Sequence, residues 1–253
     1  MLSMDGEFST LMTNPWGLAV LLNSLLLAIA FILPKKLLTP MGYLHAWVLG
    51  VIVWGTLGWR GYAVVMFYFL FGSAVTRIGI KQKEAEGIAE KRSGQRGPEN
   101  VWGSAFTATL CALLTLVLEP TWQPLLILGY VASFSTKLSD TTASEVGKAY
   151  GKRTFLITTL QPVPRGTEGA VSLEGTLAGI VGSLLIAVLA WGLGMIDLYG
   201  VGWCAIAAFI ATNLESVIGA TLQNQWNWLT NEVVNGINTL IGAAIAIALG
   251  AWI

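Results

Sequence analysis

Residues 174–196 read EGTLAGIVGSLLIAVLAWGLGMI, and after Glu174 no ionisable side chain occurs through Ile196. A helix rises 1.5 Å per residue and needs roughly 20 apolar residues to cross a hydrocarbon core of about 30 Å. This stretch meets that length and continues beyond any ordinary buried strand. Working outward, seven further runs have the same character: 16–33, 42–59, 61–79, 103–119, 124–147, 199–222 and 233–252. The second and third meet at Trp59-Arg60-Gly61, which leaves room only for a tight turn. The expected fold is all-α, a polytopic membrane bundle of about eight transmembrane helices forming a single domain over 1–253.

The composition agrees. Hydrophobic residues make up 55% of the 253 and charged residues 11%, against about 25% charged in a typical soluble domain. Fourteen Lys and Arg balance fourteen Asp and Glu, so no global field draws nucleic acid to the chain. Eleven Trp suit a molecule with many membrane–water interfaces. Cys111 and Cys204 lie inside apolar runs and read as buried free thiols. The single histidine, His45, begins an apolar run and reads as interfacial rather than catalytic. Met1 to Pro15 carries Asp5 and Glu7 but no basic residue, so the positive n-region of a cleaved signal peptide is missing.

Basic residues gather in alternate connections. Lys35 and Lys36 follow the first run; Arg77, Lys81, Lys83, Lys91, Arg92 and Arg96 follow the third; Lys148, Lys152, Arg153 and Arg165 follow the fifth. With eight spans these connections share one side, and the positive-inside rule places it in the cytoplasm with both termini opposite. Arg60 is the exception. Two of the connections are long. Residues 80–102 read as a charged helical extension ended at Arg96-Gly97-Pro98-Glu99-Asn100, because proline disfavours helix in the residue before it. Residues 148–173 contain Pro162, Pro164, Gly166 and Gly169 and read as irregular backbone.

Charges inside apolar runs carry the functional signal, because ionisable groups at membrane depth are costly and usually face a bundle interior or wet cavity. Lys137, Asp140, Thr141, Ser144 and Lys148 recur at three- and four-residue steps and stack on one helical face, with Glu145 beside it. Asn213, Glu215 and Ser216 interrupt the seventh run; Asn231, Glu232, Asn235, Asn238 and Thr239 open the eighth. An interhelical hydrogen-bond network that merely holds the bundle together is the alternative. Four carboxylates near one membrane face (Asp140, Glu145, Glu215 and Glu232) exceed that need. They suit a hard divalent cation such as Mg²⁺, which takes one or two carboxylates together with phosphates and water. The bend Gly166-Thr167-Glu168-Gly169 feeds a helix N-terminus, where free backbone N–H groups can hold an anion, although Gly175 and Gly179 serve equally for close helix packing. A nucleotide–Mg²⁺ site is expected without a Walker A loop, since Gly147-Lys148-Ala149-Tyr150-Gly151-Lys152-Arg153 lacks its spacing and its final Ser or Thr. Protein-kinase motifs are likewise missing.

These residues also carry a resemblance. Asp140-Thr141-Thr142-Ala143-Ser144-Glu145-Val146-Gly147-Lys148-Ala149-Tyr150-Gly151 resembles the D-x-x-A-x-x-x-G-x-x-x-G element of membrane CTP-dependent polyprenol kinases such as the dolichol and phytol kinases, with Ser139 where those usually have Gly. Gly87–Val101, Pro164–Thr176 and Asn231–Asn235 are similar to the phytyl phosphate kinases of plastids and cyanobacteria, so that the likeness covers most of the chain from about residue 40. It implies transfer of the γ-phosphoryl group of CTP, or another NTP, to phytyl phosphate, an isoprenyl phosphate lipid. The product, phytyl diphosphate, feeds tocopherol and phylloquinone synthesis. The same resemblance implies a cyanobacterial thylakoid or plasma membrane location. Under it, Asp140, Glu145, Glu215 and Glu232 are the expected Mg²⁺ ligands. Lys137, Lys148 and Arg165 would neutralise phosphates, and Lys137, Asp140 and Arg165 would form the catalytic set. Arg92, Arg96, Glu99 and Asn100 would wall the site, with Ser144, Gly166, Thr167, Glu168, Asn213, Asn231 and Asn235 contacting substrate. A kinase of the free prenol, a CDP-lipid synthase and a membrane transporter are the competing readings. Homo-oligomerisation is left open.

Overall fold

The computed structural model describes residues 14–34, 36–223 and 225–252. Asp5, Glu7 and Lys35 lie outside the described residues, as does the side chain of Lys91. The helices are α1 (Pro15–Ile32), α2 (Pro40–Thr76), α3 (Ile80–Ala85), α4 (Pro98–Leu114), α5 (Gln123–Tyr150), α6 (Leu173–Gly192), α7 (Leu198–Thr221) and α8 (Asn231–Gly250). Local chemistry sets their starts. Proline occupies the first turn of α1, α2 and α4, where its missing N–H is no loss. Asn14, Thr39, Ser172, Asp197 and Thr230 cap α1, α2, α6, α7 and α8 through their side-chain oxygens, satisfying otherwise orphaned N–H groups.

α2 is a hairpin of two helices. Gly58 breaks it with φ 64° and ψ −160°, a left-handed φ that glycine adopts without penalty. A straight helix of 37 residues would hold its ends about 55 Å apart. Here the Thr39 N–H donates to Arg96 O at 3.1 Å, while a Cβ on Gly94 would stand 3.0 Å from Thr76. Both ends of α2 therefore meet the 94–96 segment, and the Trp54 and Tyr62 rings touch across the bend at 5.2 Å. The tight turn expected at 59–61 falls one residue earlier.

Among the described residues, five helices are long and apolar enough to cross a membrane by length and composition alone: α1, α2, α6, α7 and α8. The α2 hairpin supplies two spans, and α4 and α5, more polar, complete about eight. α5 is the centre of the bundle, packed against α2, α4, α6, α7 and α8. Its middle is buried almost without interruption, from Leu128 to Asp140. Small residues allow the approach. A Cβ on Gly175 would lie 2.6 Å from Ala143 O, and one on Gly182 would lie 2.4 Å from Thr142 Oγ1. Gly175 and Gly179 thus act in close helix packing. Cys111 and Cys204 are free and buried, and His45 Nδ1 accepts from Trp102 Nε1 at 2.8 Å.

Two segments differ from expectation. The charged 80–102 connection is not one solvated helical extension. Gly79 (φ 62°) turns the chain, α3 is six residues long, and Lys83 is fully buried. α4 then begins at Pro98, so Glu99 and Asn100 lie in a helical first turn, where the Asn100 side chain accepts from Gly97 N–H at 2.9 Å. Pro98 closes the loop before it and, at the first position of α4, also opens a helix. In 151–172 the irregular backbone is relieved only by a two-stranded antiparallel pair, β1 (Phe155–Leu156) and β2 (Ala170–Val171).

Candidate active site

At one end of the bundle, α4, α6 and α8 begin while α5 and α7 end, and between them lies a cavity of about 1040 Å³. Three helix N-termini therefore border it, each carrying partial positive charge equivalent to roughly half a unit. The opposite end holds the hairpin tip of α2 and the α6–α7 turn, where Arg60 stacks on Trp59 and approaches Gly194.

The deepest charged group in the cavity is Lys137, thirteen residues from the end of α5, or roughly 20 Å along its axis. Its ammonium donates to Asp140 Oδ2 at 2.5 Å and to Asn235 Oδ1, from α8, at 2.8 Å. Asp140 is also within hydrogen-bonding range of Glu215 from α7. Two carboxylates in contact repel unless a proton or cation lies between them, and among the described residues only Asp140 of the two forms an ion pair with Lys137. Toward the mouth, Glu168 approaches Gly219, one turn beyond Glu215. Gly169 (φ 77°) pins that loop to α7, since a Cβ there would lie 2.6 Å from Ser216 O. Thr212 Oγ1 lines the cavity, buried and with no partner among the described residues.

The opposite wall is basic and clamped. Arg96 N–H donates to Leu37 O and Thr39 N–H to Arg96 O, both at 3.1 Å, so the arginine is held as a short bridge against the start of α2. Its guanidinium lies 5.4 Å from the Tyr68 ring, over which it stacks, and bonds Tyr68 Oη at 3.2 Å. Gly72 leaves it room: a Cβ there would stand 3.0 Å from Arg96 Nη2. Arg92, left-handed at φ 55°, pairs with Glu99 and reaches Asn100 Oδ1 at 3.2 Å. Asn100 in turn donates to Glu232 Oε1 at 3.4 Å, joining α4 to α8. Lys148 stands 3.7 Å from Glu90.

A model of the integral membrane protein family DUF92 matches residues 23–243. The chain belongs to that family. It is 74% identical over 237 residues to a membrane protein of Synechocystis sp., covering 94% of this chain and 92% of that one. It is 44% identical over 261 residues to the chloroplastic protein VTE6 of Arabidopsis thaliana, covering 99% and 78%. A membrane protein of Methanocaldococcus jannaschii is 31% identical over 217 residues, 85% of this chain and 87% of its own. No solved structure matches.

In this DUF92 chain the cavity is lined by Arg92, Arg96, Glu99, Asn100, Lys137, Asp140, Ser144, Glu145, Lys148, Gly166, Thr167, Glu168, Asn213, Glu215, Asn231, Glu232 and Asn235. Of the residues expected from sequence, Arg165 alone falls outside. Its guanidinium turns away to Glu86 at 2.8 Å and Ala149 O at 3.3 Å. Nor do the four expected metal-binding acids converge as a set. Glu145, though it lines the cavity, is taken up by the buried Lys83, which also donates to Thr76 O at 2.9 Å; Glu232 bonds Asn100. Among the described residues no three acids, imidazoles or thiols form a metal cage. The pair Asp140 and Glu215 remains. Two neighbouring carboxylates, of which only Asp140 forms an ion pair among the described residues, with Lys137, fit a dication that completes its shell with phosphates and water. The expected free N–H groups at the start of α6 are partly used, since Ser172 Oγ accepts from Gly175 N–H at 3.1 Å. Sequence reasoning missed Tyr68 and Lys83. Tyr68 offers no charge inside its run, and Lys83 reads locally as one more loop cation.

Proposed function

We propose that this chain is a membrane phosphotransferase that moves the γ-phosphoryl group of CTP or another NTP to phytyl phosphate, giving phytyl diphosphate. The observation that carries the reading is the contact of Asp140 and Glu215 beside Lys137, inside a polar cavity walled by Arg92, Arg96 and Lys148. The likeness of Asp140–Gly151, Gly87–Val101, Pro164–Thr176 and Asn231–Asn235 to the phytyl phosphate kinases supplies the substrate.

Phosphoryl transfer asks for positioning and charge neutralisation more than for covalent help from the protein. An acceptor phosphate oxygen attacks the γ-phosphorus, the bond to the β-bridging oxygen breaks, and the nucleoside diphosphate leaves. A phosphate monoester has its second pKa near 6, so the dianion attacks without surrendering a proton. A histidine or cysteine base is therefore unnecessary, in keeping with His45 and both cysteines lying outside the cavity lining. The chief barrier is repulsion between two anions. Arg92 and Arg96 oppose it from one wall and Lys148 from the α5 face that carries Asp140, and the starts of α4, α6 and α8 add backbone N–H groups and dipoles. Asp140 and Glu215 would hold Mg²⁺, which when bound neutralises phosphate charge. Lys137, fixed by Asn235, sets the position of Asp140. The site lies within one transmembrane unit, with the loops 80–102 and 148–173 supplying much of its wall. The positive-inside rule puts this end in the cytoplasm and the termini opposite, in a thylakoid or plasma membrane.

The test is a product assay on purified protein in detergent with CTP, Mg²⁺ and either phytol or phytyl phosphate. Conversion of phytyl phosphate with release of CDP is expected. Conversion of phytol alone would make the chain a prenol kinase, pyrophosphate release would make it a CDP-lipid synthase, and no conversion of either lipid would remove the enzymatic reading.

A further inference from the structure

The acid pair lies in a polar cavity, yet a lipid phosphate brings a tail that belongs in hydrocarbon. Most of the cavity wall is polar or closed by tight packing. α4 meets α8 so closely that a Cβ on Gly103 would fall 2.8 Å from Glu232 O, and α5 meets α6 through Gly175 and Gly182. The exception lies between α6 and α7, where Ile180 and Phe209 line the same cavity as Asp140 and Glu215. Ile180 is seven residues into α6, about 10 Å, and Phe209 is six residues deeper than Glu215, about 9 Å. Phe209 lines the cavity and keeps 46% of its surface exposed. An apolar side chain so exposed at the cavity wall, next to lipid-facing residues on both helices, fits a cavity that opens sideways here. The flanks of that opening are apolar: Leu177 and Val181 of α6 and Ile210 and Leu214 of α7 are exposed, as lipid-facing side chains are. The two helices are joined by Leu193–Asp197 at the far end of the bundle, so no connecting turn of theirs blocks the seam at the site end.

Resting on the proposed function, we infer that the α6–α7 seam is the tail portal: a lipid monophosphate binds with its phosphate beside Asp140 and Glu215 and its isoprenyl chain leaving the cavity between Ile180 and Phe209 into the bilayer. Polar head and apolar tail then find matched surroundings along one continuous path, and the tail need not leave hydrocarbon for the head to bind. The seam passes any tail that fits its width, so Ile180 and Phe209 govern tail selection.

Two measurements test the portal. The first compares kcat/KM for phytyl phosphate and for the short-tailed dimethylallyl phosphate in Phe209→Trp and Ile180→Trp. Filling the seam should lower the long-to-short ratio about tenfold or more in either variant; an unchanged ratio in both overturns the inference. The second uses wild-type protein in nanodiscs and needs no turnover. An alkyl phosphate with a diazirine in its tail is photolysed, with and without excess phytyl phosphate, and adducts are mapped by mass spectrometry. Competed adducts within 177–184 and 206–214 are expected. Adducts elsewhere, or adducts that phytyl phosphate fails to displace, overturn the portal. If wild type converts no lipid but shows the competed adducts, the phosphotransferase reading falls while the lipid-phosphate subsite stands.

Discussion

Two lysine–carboxylate contacts on α5, five residues apart, are built to opposite ends. Glu145 meets Lys83 as one acid and one base, with side-chain exposures of 2% and 0%, and the spare ammonium capacity goes to the Thr76 carbonyl. Every charge has its counterpart, and α3 is tied to the core. Asp140 meets Lys137, whose ammonium also reaches Asn235, while Glu215 lies beside Asp140 with no ion pair of its own among the described residues, and the group opens on the cavity. Charge there is left unbalanced. Buried ion pairs contribute little net stability against an apolar replacement yet are strongly destabilising when halved. A closed pair is therefore a lock, and an unbalanced cluster facing a cavity is a place for a ligand.

The contrast can be broken in four places. Asp140→Asn should reduce turnover by about 10³-fold or more, the scale of losing a principal electrostatic group at a reacting centre, while the protein stays folded in detergent by circular dichroism. Normal product formation would strike Asp140 from the site. Glu145→Ala should instead lower stability by about 3–5 kcal/mol through the stranded Lys83, seen as a lower thermal midpoint. The double variant Lys83→Met/Glu145→Leu should recover most of it, and failure to recover would mean that this pair too has another task. Glu215→Gln should cut turnover about tenfold or more yet leave the thermal midpoint unchanged or raised, because it removes a like charge; a fall in both would make the acid structural. Arg165→Ala should be nearly silent, with about 0.5 kcal/mol lost with its partly exposed partner Glu86 and turnover within about threefold. A large loss of turnover there would return Arg165 to the cavity.

The spans were readable because membrane thickness imposes a length that apolar runs report directly. Even the α2 hairpin is announced by Trp59-Arg60-Gly61, although the break itself falls on Gly58. The helical face of Lys137, Asp140, Ser144 and Lys148 followed from periodicity alone. What failed was every question of which partner a side chain chooses across elements. Lys83 and Glu145 are 62 residues apart, and nothing near either says that they meet. Arg165 looked like a phosphate contact because it is a basic residue in the Pro164–Thr176 stretch that carries the resemblance, but its side-chain direction depends on Glu86 from a separate segment. The start of α4 at Pro98 was hidden because the same residue ends one structure and begins the next.

The encirclement of α5 has a consequence for how the chain is made. α5 carries Lys137, Asp140, Glu145 and Lys148, and each ionisable group near the middle of an isolated helix opposes insertion by about 2.5–3.5 kcal/mol. When α5 leaves the ribosome, α6, α7 and α8 have not been synthesised, so Glu215 and Asn235 cannot yet receive its charges. The half-made protein must shelter this segment, against α2 and α4 or within the insertion machinery, until the last helix arrives. Nascent chains stopped before Asn231 should therefore be the form most exposed to quality-control proteolysis.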